Sequence, residues 1–167
     1  MLFDVHEKMI VQLSKQIKRV EDQLDDVIKR DDQLKKMYDL ITSIKGIGPQ
    51  TALFIIAFTN GFTLFKTWRK FASYTGIAPF PNQSGISVRH RTKVSNLANK
   101  RTKSLLDLCA KNAIQYNMEM KKYYQKRVSE GKSKMSTINI IRNKLLARIF
   151  AVVQRGTPYV DTLGYLK

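Results

Sequence analysis

The chain has 167 residues, 43% of them hydrophobic, which suits one folded domain plus an appendage and excludes disorder throughout. Its formal charge of +17 is too basic for an ordinary small-molecule enzyme and points to a polyanion, nucleic acid first and an anionic membrane surface second. Cys109 is the single cysteine, and the longest apolar run is Ala52 to Phe58; an internal disulfide, a cysteine zinc site and a membrane span are thereby excluded, and a reduced, cytoplasmic setting is expected.

The charge is unevenly distributed. Residues 1–43 hold 8 Lys/Arg against 9 Asp/Glu, whereas residues 44–167 hold 22 against 4. A neutral module followed by a basic one is the simplest account. The expected division is 1–43 as a coiled-coil dimerisation helix, 44–156 as a DNA-binding domain and 157–167 as a tail.

From Phe3 to Ile41, apolar positions step by three and four through Ile10, Leu13, Ile17, Val20, Leu24, Val27, Leu34 and Tyr38. This heptad seam predicts one helix of about 40 residues, some 60 Å long, seeking a partner helix. Asp31 is a polar intrusion in the seam.

"LITSIKGIGPQTALFIIAF" then reads as helix, Gly-hydrophobic-Gly, helix, the pattern of a helix-hairpin-helix motif. Gly46 and Gly48 permit a tight turn and a close approach, Ile47 anchors it, and Pro49 suits the first turn of the next helix. The free N–H groups there could take a DNA phosphate without reading sequence. The plain alternative is a helical turn whose glycines only allow close packing.

Asn60-Gly61 marks a turn, and Phe65, Trp68, Phe71 and Ala72 follow at helical spacing as core, with Gly76 ending that helix. Residues 79–94 read as irregular with at most a short hairpin. A helical period returns from Leu97 to Met120. "KKYYQKRVSEGKSK" reads as a basic, polar break around Gly131, and Ser136 as the N-cap of a last helix that ends at Gly156. The fold class is therefore mainly α: a long N-terminal coiled-coil helix, then a small helical domain with a helix-hairpin-helix and at most one short β-hairpin.

Residues 79–101, "PFPNQSGISVRHRTKVSNLANKR", hold a Ser-Gly pair and a series of cations without an acid. The second half offers no carboxylate cluster for two metal ions and no hydrolase or P-loop signature, so chemistry on a phosphodiester would need a nucleophile and cationic stabilisation. Ser84 is the candidate nucleophile, with Ser95 second. Arg89, Arg91 and Lys93 could hold phosphate oxygens, and Lys100, Arg101 and Lys103 extend the basic surface. On residue chemistry alone, Ser-Gly is more often just a turn.

The blocks Thr75-Gly76-Ile77-Ala78-Pro79, Ser84-Gly85, Val88 to Lys93, Val94-Ser95-Asn96 and Lys103-Ser104-Leu105-Leu106 with Cys109-Ala110 occur in the order seen in one family. From about Leu40 to Val153 the chain resembles the C-terminal domain of transposases of the insertion sequence 110 family, which takes in the 116, 902 and 1111 subfamilies and the pilin-gene invertases. The resemblance implies a recombinase that cuts and rejoins DNA through a serine, mapping to Ser84, which forms a phosphoserine link. It also implies an N-terminal RuvC-like domain whose acids bind magnesium, an element-encoded guide RNA, and dimers or tetramers formed through the coiled coil. This chain begins at the coiled coil, so no cofactor is expected in it, and activity is expected only together with the RuvC-like domain. Leu97 and Ala98 replace a usual glycine, which moves the expected helix start earlier. Two rival classes stay open: a non-catalytic DNA-binding dimer, and an RNA-binding module.

Overall fold

The computed structural model describes the backbone of residues 2–84, 88–95 and 98–161. Residues 1–36 and 37–167 form two compact units. In chain order the elements are α1 (Leu2–Arg30), α2 (Asp32–Thr42), α3 (Pro49–Thr59), α4 (Trp68–Tyr74), β1 (Pro79–Ser84), β2 (Val88–Val94), α5 (Lys100–Tyr116), α6 (Met118–Ser129) and α7 (Lys134–Arg155). The fold is mainly α, with one two-stranded antiparallel ladder.

In the first unit, α1 leaves its apolar seam open. Phe3, Ile10, Leu13, Ile17, Val20, Leu24 and Val27 are all exposed. The single helix expected from Phe3 to Ile41 is instead interrupted at Asp31. Its carboxylate accepts hydrogen bonds from the N–H groups of Gln33 (2.9 Å) and Leu34 (3.0 Å), and its carbonyl accepts from Lys35 N–H (2.8 Å). Asp31 is thus the N-cap of α2: a short acid is a weak residue in a helix interior and a strong one at a helix start.

The second unit is a helical domain. Its core is built on Leu40, Ile41 and Ile44 from the end of α2 and the turn after it, Ala52, Ile55 and Ile56 of α3, Phe71 of α4, Leu106 and Ala110 of α5, and Ile141, Leu145 and Ile149 of α7, all buried. Fully burying each large aliphatic or aromatic side chain contributes about 1.5–3 kcal/mol. Helix α5 packs on α3, α6 and α7, and α7 packs also on α4 and α6. Phe62, Phe65, Phe71, Tyr74 and Phe150 form an aromatic cluster of edge-on, tilted and stacked pairs with centroids 5.0–6.0 Å apart.

Three local expectations are corrected. The helix expected through Met120 is split at Asn117, a fully buried residue that closes α5 and whose side chain accepts from Met120 N–H to open α6. The helix start lies at Lys100, because Asn99 caps it by accepting from Thr102 N–H (3.0 Å); Leu97 lies outside the described residues. The basic "break" is mostly helix α6, and the N-cap of α7 is Ser133 rather than Ser136.

The segment after α7 is tied down by side chains. Tyr159 N–H donates to Ser43 Oγ (2.9 Å), its hydroxyl donates to Glu119 (3.4 Å), and the Arg148 guanidinium lies 4.9 Å over its ring. Lys45 pairs with Asp161 at 3.0 Å.

Candidate nucleic-acid interface

The turn between α2 and α3 is shaped by its neighbour. Gly46 has φ +102°, and a Cβ there would come within 2.7 Å of Ala113 Cβ on α5. Glycine at this place therefore serves both the turn and the packing of α5. Ile47 is buried, whereas Gly48 faces open space on its Cβ side and stands at the N-cap of α3 without a side-chain cap. Pro49 has no N–H to offer, and the first-turn residue Gln50 is exposed.

Helix α3 is held along α5. The Cys109 thiol donates to Thr51 Oγ1 (3.3 Å), and Arg101 lies 4.9 Å over the ring of Phe54. Burial pushes the Cys109 thiol above its usual range, against the opposing effect of its hydrogen-bond interactions with Thr51 and the Gly48 backbone. Eight residues of helix separate Cys109 from Arg101, about 12 Å. The Gly46–Gly48 turn and the start of α5 are thus set on one helix pair. Lys100 and Arg101 are exposed there, and Lys103 is half-buried.

The ladder carries the serine and three of the cations. Pro79 pairs with Val94 at its root, Phe80 with Lys93, Gln83 with Arg89, and Ser84 with Val88 at its far end. Two residues of β2, Arg91 and Thr92, oppose the single Pro81, giving a bulge. Proline has no N–H for the ladder, which fits a bulge at this point. Five strand steps place Ser84 about 17 Å from the root. Ser95 instead adjoins the root, where its carbonyl lies 3.1 Å from the position of a Cβ on Gly76. The two candidate serines are therefore at opposite ends of the ladder. The side chains of Ser84, Arg89, Arg91 and Lys93 lie outside the described atoms, as do Gly85, Ile86 and Ser87.

Two contacts at the root were not legible in the sequence. The side-chain amides of Asn139 (2.9 Å) and Asn143 (3.0 Å) both donate to the carbonyl of Ile77. On the other strand's side, Asn99 N–H donates to Tyr74 O (3.0 Å) and its amide to Tyr74 Oη (3.1 Å). The partners stand 25 to 66 residues apart in the chain, and no short-range pattern announces them.

The electrostatics are one-sided. All four acids of residues 44–167 are occupied by cations: Asp107 by Lys111 (2.8 Å) and Arg142, Glu119 by Arg148 (2.6 Å), Glu130 by Arg127 (3.2 Å) and Asp161 by Lys45. Burial pushes the Asp107 carboxyl up, but hydrogen bonds from Lys111 and Arg142 outweigh it and hold the group below its ordinary range. Among the described residues there is no group of three or more His, Cys, Asp or Glu that could hold a metal ion. No described helix is long and apolar enough to cross a membrane.

The model of the transposase IS116/IS110/IS902 family matches residues 38–125, more than half of the chain and the stretch from the end of α2 to α6. The chain belongs to this family. It is 26% identical over 148 residues to the pilin gene-inverting proteins of Moraxella lacunata and Moraxella bovis, an alignment covering 87% of this chain and 46% of each relative. It is 27% identical over 120 residues to a 43.6 kDa protein of insertion element IS110 from Streptomyces coelicolor, covering 72% of this chain and 29% of that protein. The chain spans less than half the length of these curated relatives.

Proposed function

We infer that this transposase-family chain is a DNA-binding, serine-bearing part of a recombinase that cuts and rejoins DNA at the ends of a mobile or invertible segment. The observation that carries the reading is the ladder: it sets Ser84 at its tip on one strand and Arg89, Arg91 and Lys93 on the facing strand. In this reading the Ser84 oxygen attacks a backbone phosphorus. The new Ser–O–P bond replaces one P–O bond to the sugar, the serine gives up its proton, and the departing sugar oxygen takes one up. One phosphodiester is exchanged for another, so the energy for rejoining is kept. The three cations hold the non-bridging oxygens and offset charge in the transition state.

The Gly46–Gly48 turn acts as a helix-hairpin-helix element and takes a neighbouring phosphate at the start of α3, with Lys100, Arg101 and Lys103 continuing the track. The exposed seam of α1 pairs with the same seam of a second copy as a coiled coil.

Two measurements test this. The 167-residue chain should bind duplex DNA with an affinity that falls steeply with salt; salt-insensitive binding or none sinks the DNA-binding reading. In a protein of the relatives' full length carrying this sequence, Ser84→Ala should abolish the covalent protein–DNA adduct while leaving binding intact. An adduct that survives, or one mapped to Ser95, removes Ser84 from the role, and binding without any adduct leaves a non-catalytic DNA-binding dimer.

A further inference from the structure

Helix α6 displays a second basic face. Lys121, Lys122, Gln125, Lys126 and Ser129 are exposed and recur at helical spacing, and Met120 is buried on the opposite side. The stripe runs about 12 Å along the helix, and exposed Lys132 in the turn that follows and exposed Lys134 at the start of α7 add to it. None of these lysines has an acid to pair with among the described residues. The two acids nearest in sequence, Glu119 and Glu130, are occupied by Arg148 and Arg127. Lys122 and Lys126 stand four apart on the helix, an arrangement of like charges that is unfavourable in the free protein. A bound polyanion reverses that cost.

The chemistry of the face narrows the partner. Single-stranded nucleic acid is held by exposed aromatic platforms as well as charge. Here Tyr123 is covered by the Lys144 ammonium, 4.1 Å from its ring centroid, and Tyr124 is half-buried. What remains is a row of flexible point charges without a forked donor such as arginine in the stripe, which suits phosphates and reads no base edge.

We propose that the α6 face, Lys121, Lys122 and Lys126 with Lys132 and Lys134, is a second docking surface for the phosphate backbone of duplex DNA, separate from the α3–α5 and ladder surface. It rests on the DNA-binding reading above. The helix packs on α5 and α7, and none of its lysines belongs to the residues assigned to the first surface.

The test uses the full 167-residue chain in three triple variants: Lys121→Gln/Lys122→Gln/Lys126→Gln on α6, Lys100→Gln/Arg101→Gln/Lys103→Gln on α5, and Lys15→Gln/Lys18→Gln/Lys29→Gln on α1 as a control of equal charge change. Circular dichroism verifies that each is folded. Binding to a duplex DNA and to an RNA hairpin is followed by fluorescence anisotropy across a salt series. For DNA, the α6 variant should lower the slope of log K against log salt by about 2 to 3, the number of counterions no longer released, and weaken binding at least tenfold at 0.1 M salt. The α1 control should leave the slope unchanged. The proposal is overturned if the α6 variant keeps the wild-type slope, if the control loses as much, or if only RNA binding changes. Loss of DNA binding in the α5 variant alone leaves the first surface standing without the second, and absence of DNA binding in the unaltered chain removes both.

Discussion

A Cβ on Gly76 would lie 2.3 Å from the Cβ of Ala98. Gly76 precedes the ladder and Ala98 follows it, so this contact closes the root of the arm that carries Ser84. Gly76 also has φ +66°, a conformation costly for any residue with a Cβ. Gly76→Ala is expected to destabilise the protein by roughly 2–4 kcal/mol, the backbone penalty plus the overlap. Gly131, with φ +77° and open space around it, isolates the first contribution. Urea unfolding should show Gly131→Ala costing only about 1–2 kcal/mol; equal losses at the two sites would mean that the root is not tightly packed.

Asp107 ties α5 to α7 through the buried guanidinium of Arg142. Its folded-state pKa lies below the ordinary value of 3.8. Its contribution to stability is therefore complete above pH 4 or so and is lost as pH falls through the folded-state value. Asp107→Asn should cost about 2–4 kcal/mol at neutral pH, because it leaves Arg142 buried without its counter-charge. It should also flatten the acid limb of a melting-temperature profile between pH 5 and pH 2. A variant as acid-sensitive as the parent would show that other carboxylates set that limb.

The cap at Asp31 predicts a difference between two small changes. Asp31→Asn keeps an acceptor for the N–H groups of Gln33 and Leu34 and should be near neutral. Asp31→Ala should cost about 0.5–2 kcal/mol, read as a lower thermal midpoint by far-ultraviolet circular dichroism. Alanine as stable as asparagine would mean that α1 runs into α2 as one helix without penalty.

The sequence disclosed elements where one chemical signal dominated. Asn60-Gly61 as a turn, and Gly76 and Gly156 as helix ends, rest on residues with a single strong preference, and each appears where it was expected. Asn117 was missed because Met120 continues the apolar spacing of α5, so the period runs through a break made by one buried amide. Helix α6 was read as a polar segment because it buries little beyond Met120 and shows lysine on its outer face. At the candidate site, ordered short blocks marked out the ladder region and its cations. The clasp of Asn139 and Asn143 on Ile77 could not be read, since amide side chains carry no periodic signature and their target is a backbone carbonyl.

The pairing of every acid in residues 44–167 has a colloidal consequence. With its carboxylates matched internally, this part of the molecule presents a field of one sign, and copies of it repel one another at low ionic strength. In the proposed DNA-binding role, nucleic acid discharges that field. Crowding of these domains thus depends on the polymer they meet, and fragments of host nucleic acid should accompany the protein through purification, raising its absorbance at 260 nm until high salt strips them away.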